Sequence, residues 1–219
     1  MPNLKNSFDF LIDLKFNNDR NWFNENKGWY IEANSDFAAL VDYLIGEIKK
    51  FDDSVQVNSS KDCMFRIYKD VRFSKNKEPY KTNFGAFIAG SGRKSNLAGY
   101  YVHLEPDSSF AGGGIYMPPP DILKYLREYV LEHSSEFKKI LNKADFKSTF
   151  GTLMDEKLKS APRGFPKEHP DIELSYYKSY VIGHNIDNKK WTQNNIGEYI
   201  LDVFKKQYDF NTFLNKALK

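Results

Sequence analysis

Cysteine is nearly absent from this chain of 219 residues, with Cys63 as its single example. One thiol cannot form a disulfide within the chain, and it cannot supply a zinc site built on several cysteines. The sequence therefore excludes a disulfide-stapled fold and a cysteine-based zinc finger. We expect Cys63 to lie buried in a strand, where it behaves as a small apolar side chain.

Long apolar runs are also absent. No stretch approaches the roughly 20 apolar residues of a membrane-spanning helix, and the opening residues MPNLKN contain no signal-peptide core. The sequence has no phosphate loop, no GxGxxG between a strand and a helix, and no HExxH, GxSxG or CxxC motif. We expect a cytoplasmic protein with no membrane partner and no cofactor.

The composition is that of a globular protein, with 41% hydrophobic and 28% charged residues. The length suits a single domain over residues 1–219, with two small domains as the alternative. The 18 phenylalanines and 14 tyrosines predict an aromatic-rich core, with tyrosine hydroxyls reaching polar partners at its edge.

Helical periodicity marks both ends of the chain and its middle, because apolar side chains there recur every three or four residues. Ser7, Asp19 and Thr192 stand before helical segments, so we expect each of them to cap a helix. The apolar stripes cover residues 8–14, 37–48, 122–130 and 196–204.

Strand-like alternation appears between these helices, in segments that are mostly joined by short polar turns. Such a succession forms an antiparallel meander. The order of helices, strands and helices predicts an α+β fold: a single domain whose mainly antiparallel sheet of about five strands packs with N-terminal, middle and C-terminal helices. The strands are predicted at residues 63–68, 84–89, 99–105, 109–117 and 176–183.

Three consecutive glycines, Gly112, Gly113 and Gly114, interrupt the fourth predicted strand. Glycine weakens a strand, so the run indicates a bulge or the close approach of another group. Room for an aromatic side chain packed on the sheet is the favoured explanation.

Positive charge is concentrated in residues 61–81. Seven basic and three acidic residues give this segment a charge of +4, whereas the whole chain carries +3. A concentrated cationic patch indicates a candidate anion site, and Pro79 would restrict the loop that carries it. The alternative is a solvated loop whose cations pair with Asp70 and Glu78. The cations expected to converge are Arg66, Arg72, Lys75, Lys77 and Lys81.

A second basic segment, residues 157–169, has four basic residues and one acidic residue. Three prolines within residues 162–170 stiffen it, and Gly164 allows a backbone N–H to approach a ligand closely. Its candidate ligand-binding residues are Arg163, Lys167 and His169. The alternative is a structural corner that leads into the fifth predicted strand.

If the site is catalytic, Tyr80 or His103 is expected to transfer the proton. His103 shares a strand face with Tyr101 and Glu105, and His184 ends another strand, so a His/His/Glu metal site is conceivable. Nothing in the sequence sets its spacing, and structural histidines are the favoured explanation. No metal is predicted.

The chain contains the longer motifs FL (10–11), NNDRNWF (17–23), FRIYKDVRFS (65–74), KEPYKTN (77–83), YYVHLEP (100–106), GGG (112–114), PRGF (162–165) and HP (169–170). Together they resemble, over nearly the whole chain, the domain of unknown function 2461, an uncharacterised family. One departure is Lys69, where the family resemblance leads us to expect arginine. The resemblance implies no activity, but it makes both basic segments part of the family pattern.

Three functions follow as hypotheses. The favoured one is binding, with or without turnover, of an anionic, phosphate-bearing small molecule in a basic pocket formed by both segments. The second is a single-stranded nucleic-acid-binding module in which Tyr68, Phe73 or Tyr80 stacks on bases. The third is a scaffold protein whose basic loops dock on an acidic partner. The sequence leaves open whether the protein is an enzyme and what its oligomeric state is.

Overall fold

Residues 3–70, 72, 77–154 and 157–218 are described by the computed structural model. They form an α+β fold, as predicted, in which one antiparallel sheet packs against helices from both ends of the chain. The helices are α1 (Lys5–Phe16), α2 (Arg20–Glu25), α3 (Lys27–Ile48), α4 (Ser60–Cys63), α5 (Pro120–Glu132), α6 (Ser134–Leu141), α7 (Ala144–Phe150), α8 (Asn188–Trp191) and α9 (Ile196–Lys216). The strands are β1 (Phe84–Ile88), β2 (Gly99–Leu104), β3 (Phe110–Ile115) and β4 (Tyr180–Asn185).

Of the three helix caps predicted from the sequence, one is confirmed by the structure. The side chain of Asp19 accepts the backbone N–H groups of Asn21 and Trp22, which confirms it as the cap of α2. The prediction for Ser7 is wrong, because Ser7 lies inside α1 and its hydroxyl donates to the Ala33 carbonyl instead. The prediction for Thr192 is also wrong, since Thr192 ends α8.

None of the helices in the described residues is long and apolar enough to cross a membrane.

The sheet has the strand order β1-β2-β3-β4, with every neighbouring pair antiparallel. It has four strands rather than about five, because residues 63–68 do not form one. Cys63 closes the helical turn α4, which Ser59 caps at its other end. Met64 and Tyr68 then make only isolated bridges, to Ala86 and Tyr80.

Cys63 is fully buried, as expected, although it lies in a helix and not in a strand. Burial, assisted by the negative charge of Asp62, raises the pKa of the Cys63 thiol to about 12. The thiol therefore stays protonated at neutral pH, and Cys63 acts as a small core residue rather than as a nucleophile.

The two faces of the sheet differ in burial. Tyr100, Val102 and Leu104 of β2 point into the core and are fully buried. Tyr101 and His103 alternate with them, as predicted, and stay partly exposed on the opposite face. The helices thus cover one side of the sheet, and the other side keeps access to solvent.

The glycine run of β3 lets α9 approach the sheet. A Cβ atom on Gly114 would lie 2.1 Å from the Tyr180 carbonyl oxygen and 3.0 Å from the Phe210 ring. Gly114 also has a φ of +108°, which favours glycine. This close approach matches the expectation that the run leaves room for an aromatic side chain.

Substitution of Gly114 by alanine should lower the free energy of unfolding by about 2–4 kcal/mol, because the new methyl group meets backbone and the φ is strained. The control is Gly46→Ala in α3, where a Cβ atom meets nothing within 4 Å. That change should leave stability equal or raise it by up to about 1 kcal/mol. Urea denaturation measures both, and equal stabilities of the two variants would contradict the packing described above.

Candidate functional site

A groove of about 660 Å³ runs along the β1 edge of the sheet. Five of its lining residues are cations and none is acidic. A smaller cavity of about 430 Å³ is lined by Lys5 together with Asp9 and Asp36, so it has no cationic surplus. The residues that line the larger groove, called here the basic groove, are Tyr30, Asn34, Ala38, Ser60, Lys61, Met64, Phe65, Arg66, Lys81, Arg93 and Lys94.

The turn that follows β1 brings Arg93 and Lys94 to the basic groove. Gly92 in this turn has a φ of +68°, and a Cβ atom there would lie 2.5 Å from the Asp62 carbonyl oxygen. The turn is thus seated directly on α4, and an Arg93 Nη1–H donates to the Lys61 carbonyl at 2.7 Å. This contact fixes the Arg93 guanidinium beside the groove while leaving most of its donors for other acceptors.

Lys81 also lines the basic groove, and it lies near Arg66. Its backbone N–H donates to the Ile67 carbonyl at 2.8 Å, and its Nζ lies 5.7 Å from the centre of the Phe65 ring. Burial, and secondarily the positive charge of Arg66, lower the pKa of the Lys81 ammonium. A bound anion would relieve both costs, since it would offset the desolvation and the repulsion.

Within the described residues, no carboxylate forms an ion pair with any of the groove cations. Other cations of the same region are paired. Arg72 binds Asp70 through two hydrogen bonds, at 2.9 and 2.6 Å, and Lys69 lies 3.1 Å from Glu78. The predicted alternative of ordinary salt bridges thus applies to these residues, while Arg66 and Lys81 keep their charges for the groove.

The remaining candidates of the first basic segment lie outside the groove lining. Lys77 is exposed, and Lys75 and Phe73 fall outside the described residues. Tyr80 is only 4% exposed and stacks on Phe23 with ring centres 3.9 Å apart. Burial raises the pKa of the Tyr80 phenol, so its surroundings are those of a core residue.

The second basic segment lies at the opposite edge of the sheet. It leads into β4, whereas the first segment leads into β1, and these are the two edge strands. Three strand spacings separate the edges by about 14 Å. Arg163 and Lys167 are exposed there, and His169 accepts the backbone N–H of Asp171. The contacts of the described residues do not bring these three side chains to the basic groove.

His103 is the centre of a hydrogen-bonded row on the exposed face of β2. Its Nε2 lies 3.1 Å from Glu105 Oε2, and its Nδ1 lies 2.9 Å from the Tyr101 hydroxyl. Thr82 donates to the other Glu105 oxygen at 2.6 Å. Burial lowers the pKa of His103, although the Glu105 carboxylate opposes this shift. The imidazole is therefore neutral at pH 7.

This row adjoins the basic groove. Lys81 lines the groove, and the next residue, Thr82, binds Glu105. Phe65, another groove residue, contacts the Tyr101 ring edge-on with centres 6.2 Å apart. One short stretch of chain and one aromatic contact thus connect the cations with a group that can exchange protons.

His184 stands apart from His103. Its Nδ1 lies 2.9 Å from the Thr149 carbonyl oxygen and its Nε2 lies 2.6 Å from the Tyr199 hydroxyl, so both ring nitrogens have structural partners. No group of three His, Cys, Asp or Glu side chains able to hold a metal ion occurs in the described parts of the chain. The conceivable site made of His103, Glu105 and His184 gains no support.

Sequence reasoning missed four residues of this region: Lys61, Arg93, Lys94 and Tyr101. The adjacent Arg93 and Lys94 were a signal, but a turn gives no indication of which surface it lies on. Tyr101 is predicted on the face of His103, two residues away, and that spacing could have indicated the contact.

The structure therefore defines an α+β protein with a cation-lined groove beside a partly exposed sheet face. The family described as "Conserved hypothetical protein (DUF2461)" matches residues 6–213, and the chain belongs to this family. No curated protein and no solved structure matches the chain.

Replacing Glu105 by glutamine should lower the pKa of His103 further, because the carboxylate that favours the imidazolium is removed. NMR titration of the imidazole resonances measures this, with assignment by His103→Gln. Glu173→Gln, which changes an exposed glutamate elsewhere, should leave the titration unchanged. An unaltered His103 titration in Glu105→Gln would show that the two side chains do not interact in solution.

Proposed function

We propose that the basic groove binds an anionic, phosphate-bearing small molecule. The observation that carries this proposal is the set of five cations that line one groove with no acidic residue among them. Such a cluster repels itself, and an anion with several oxygens is the ligand that offsets this repulsion. The proposed location of the protein is the cytoplasm, as the sequence predicts.

The shape and lining of the groove favour a small molecule. Its volume of about 660 Å³ is within the usual range for ligand sites of roughly 300–1,000 Å³. Arg66 and Arg93 offer planar forks of N–H donors, while Lys61, Lys81 and Lys94 contribute mobile point charges. Phe65, Met64 and Tyr30 provide apolar walls for the part of the ligand that carries the phosphate.

The proposed site keeps only some of the ligand-binding residues that were predicted from sequence. Arg66 and Lys81 remain in it, and Lys61, Arg93 and Lys94 join them. Arg72 is paired with Asp70, and Lys77 is not part of the groove lining. The location of Arg163, Lys167 and His169 beyond the opposite edge argues for a separate role for the second segment.

Pyrophosphate and a panel of phosphate-bearing metabolites should raise the melting temperature of the wild-type protein. Ligand at 100 times its Kd adds about 2.7 kcal/mol to stability. The double variant Arg66→Gln/Lys81→Gln should weaken binding at least tenfold, because it removes a bidentate donor and a partly desolvated cation.

The matched control is Arg163→Gln/Lys167→Gln, which removes the same charge at the opposite edge and should retain wild-type affinity. Calorimetric titration gives both affinities. Equal weakening in the two double variants would contradict the assignment of the site to the basic groove and would favour convergence of the two segments.

Single-stranded nucleic acid is the second candidate, because exposed aromatic rings adjoin the cations. Phe65 is 39% exposed and lines the groove, and Tyr68 is 47% exposed nearby in the chain. Base stacking on such rings, combined with phosphate contacts, is the usual mode of single-strand binding.

If this second candidate holds, a short oligonucleotide should bind with an affinity that falls steeply as salt rises. Phe65→Leu should weaken it by about 1–3 kcal/mol, the range for loss of one stacked base. Fluorescence anisotropy provides the measurement, and Tyr125→Leu, an exposed aromatic on α5, is the control. Failure of both metabolites and oligonucleotides would leave docking on an acidic partner as the remaining hypothesis.

A further inference from the structure

The hydrogen-bonded row on β2 has a defined direction. Glu105 is a carboxylate and can only accept, so Nε2 of His103 carries the proton that joins them. In the neutral imidazole Nδ1 is then an acceptor, and the Tyr101 hydroxyl, 2.9 Å away, donates to it. Thr82 holds the far oxygen of Glu105. The row therefore runs from the Tyr101 hydroxyl through the His103 imidazole to the Glu105 carboxylate.

The same order of groups activates hydroxyl nucleophiles in hydrolases of unrelated folds, where an oriented base removes the hydroxyl proton. We propose that Tyr101 is a nucleophile, with His103 as its base and Glu105 as the positioning residue, that attacks a phosphate ester held by the basic groove. This inference rests on the proposed function, since it uses the same ligand and names its reaction.

The proposed step balances as follows. Tyr101 Oη forms a bond to phosphorus, and its proton moves to His103 Nδ1. The bond from phosphorus to the leaving oxygen breaks, and that oxygen departs with the electron pair. His103, now an imidazolium stabilised by Glu105, returns the proton to it. Water, deprotonated by His103, then cleaves the phosphotyrosyl bond and restores the Tyr101 hydroxyl with a proton from the imidazolium.

The surroundings of the row are compatible with this role. Among the described residues, the titratable groups that hydrogen-bond to His103 are Glu105 and Tyr101 on its own strand, and Asn83 and Phe110, which also contact its ring, carry no charge. Burial, and secondarily the charge of Glu105, raise the pKa of Tyr101 to about 12. The phenol thus stays protonated until a base takes its proton, as a serine hydroxyl does.

Gly85 of β1 makes room for the reacting hydroxyl. A Cβ atom on Gly85 would lie 2.6 Å from the Tyr101 hydroxyl oxygen. This atom is the end of a flexible side chain, so an alanine would displace the hydroxyl and leave the backbone in place. Gly85→Ala thus offers a variant that disturbs the row without removing any of its members.

An aryl sulfonyl fluoride tests the nucleophile without knowledge of the substrate. The phenol oxygen forms a bond to sulfur, fluoride leaves, and the proton moves to the base. Mass spectrometry of the digested protein reads the rate at each tyrosine. Tyr116 and Tyr125 are 67% and 58% exposed, and they serve as internal references that respond to access alone.

Tyr101 should react faster than both references at pH 7, although it is less exposed. His103→Gln and Gly85→Ala should each slow its reaction at least tenfold and leave the references unchanged. Circular dichroism melting of each variant monitors folding. In the wild type, the Tyr101 rate should rise as the pH increases through the lowered pKa of His103 and should then level off.

Reaction at Tyr116 and Tyr125 but not at Tyr101, or a Tyr101 rate that is indifferent to both variants, would overturn the inference. Pyrophosphate should protect Tyr101 in the wild type and should fail to protect it in Arg66→Gln/Lys81→Gln. If pyrophosphate binds the groove but protects nothing, the proposed function stands and the link to Tyr101 is wrong. If pyrophosphate does not bind while Tyr101 still reacts through His103, the proposed function fails and the activated nucleophile stands without its substrate.

Discussion

The contact between α9 and β3 is the constraint on which the rest of the structure depends. Gly113 and Gly114 have no side chains there, so Gln207 and Phe210 of α9 reach the strand backbone. Gln207 also donates to the Gly99 carbonyl, and Asn215 exchanges hydrogen bonds with both backbone groups of Ala98. These contacts hold one helix against two neighbouring strands on the buried face of the sheet.

A sheet that is covered on one face only leaves the other for polar groups. Alternation along β2 then forces Tyr101 and His103 outward, since Tyr100, Val102 and Leu104 occupy the core. The outward side chains lie close enough to hydrogen-bond along the strand. The same pleat that builds the core therefore assembles the row of hydroxyl, imidazole and carboxylate.

The sequence predicts the main strands and helices well because the patterns that indicate them are local. Strand alternation identifies β1, β2 and β3, and the stripes identify α1, α3, α5 and α9. The prediction of a strand at residues 63–68 was wrong because Ser60 donates its backbone N–H and its hydroxyl to the carboxylate of Asp42, distant in sequence, and a helical turn starts there. Apolar alternation alone does not reveal such a contact, since tertiary contacts override local pattern over short segments.

The candidate site was less predictable, because cations that follow one another in sequence need not share a surface. Arg66 and Lys81 belong to the basic groove, while Arg72 turns to Asp70 two residues away. Arg93 reaches the groove only because Gly92 lets its turn rest on α4. Charge counting locates the region, and the backbone decides which cations face each other.

The electrostatics of the groove and the chemistry of the row support each other. Burial, and secondarily repulsion by the neighbouring Arg66, lower the pKa of the Lys81 ammonium. Bringing an anion to this position stabilises the ammonium and places a negative charge near the Phe65 ring, which also contacts Tyr101. Phosphate oxygens held by cations make phosphorus more electrophilic, since their charge is neutralised as the nucleophile approaches. In the proposed reaction, the cations at the edge of the sheet lower the barrier to attack, and the base on its exposed face supplies the proton transfer.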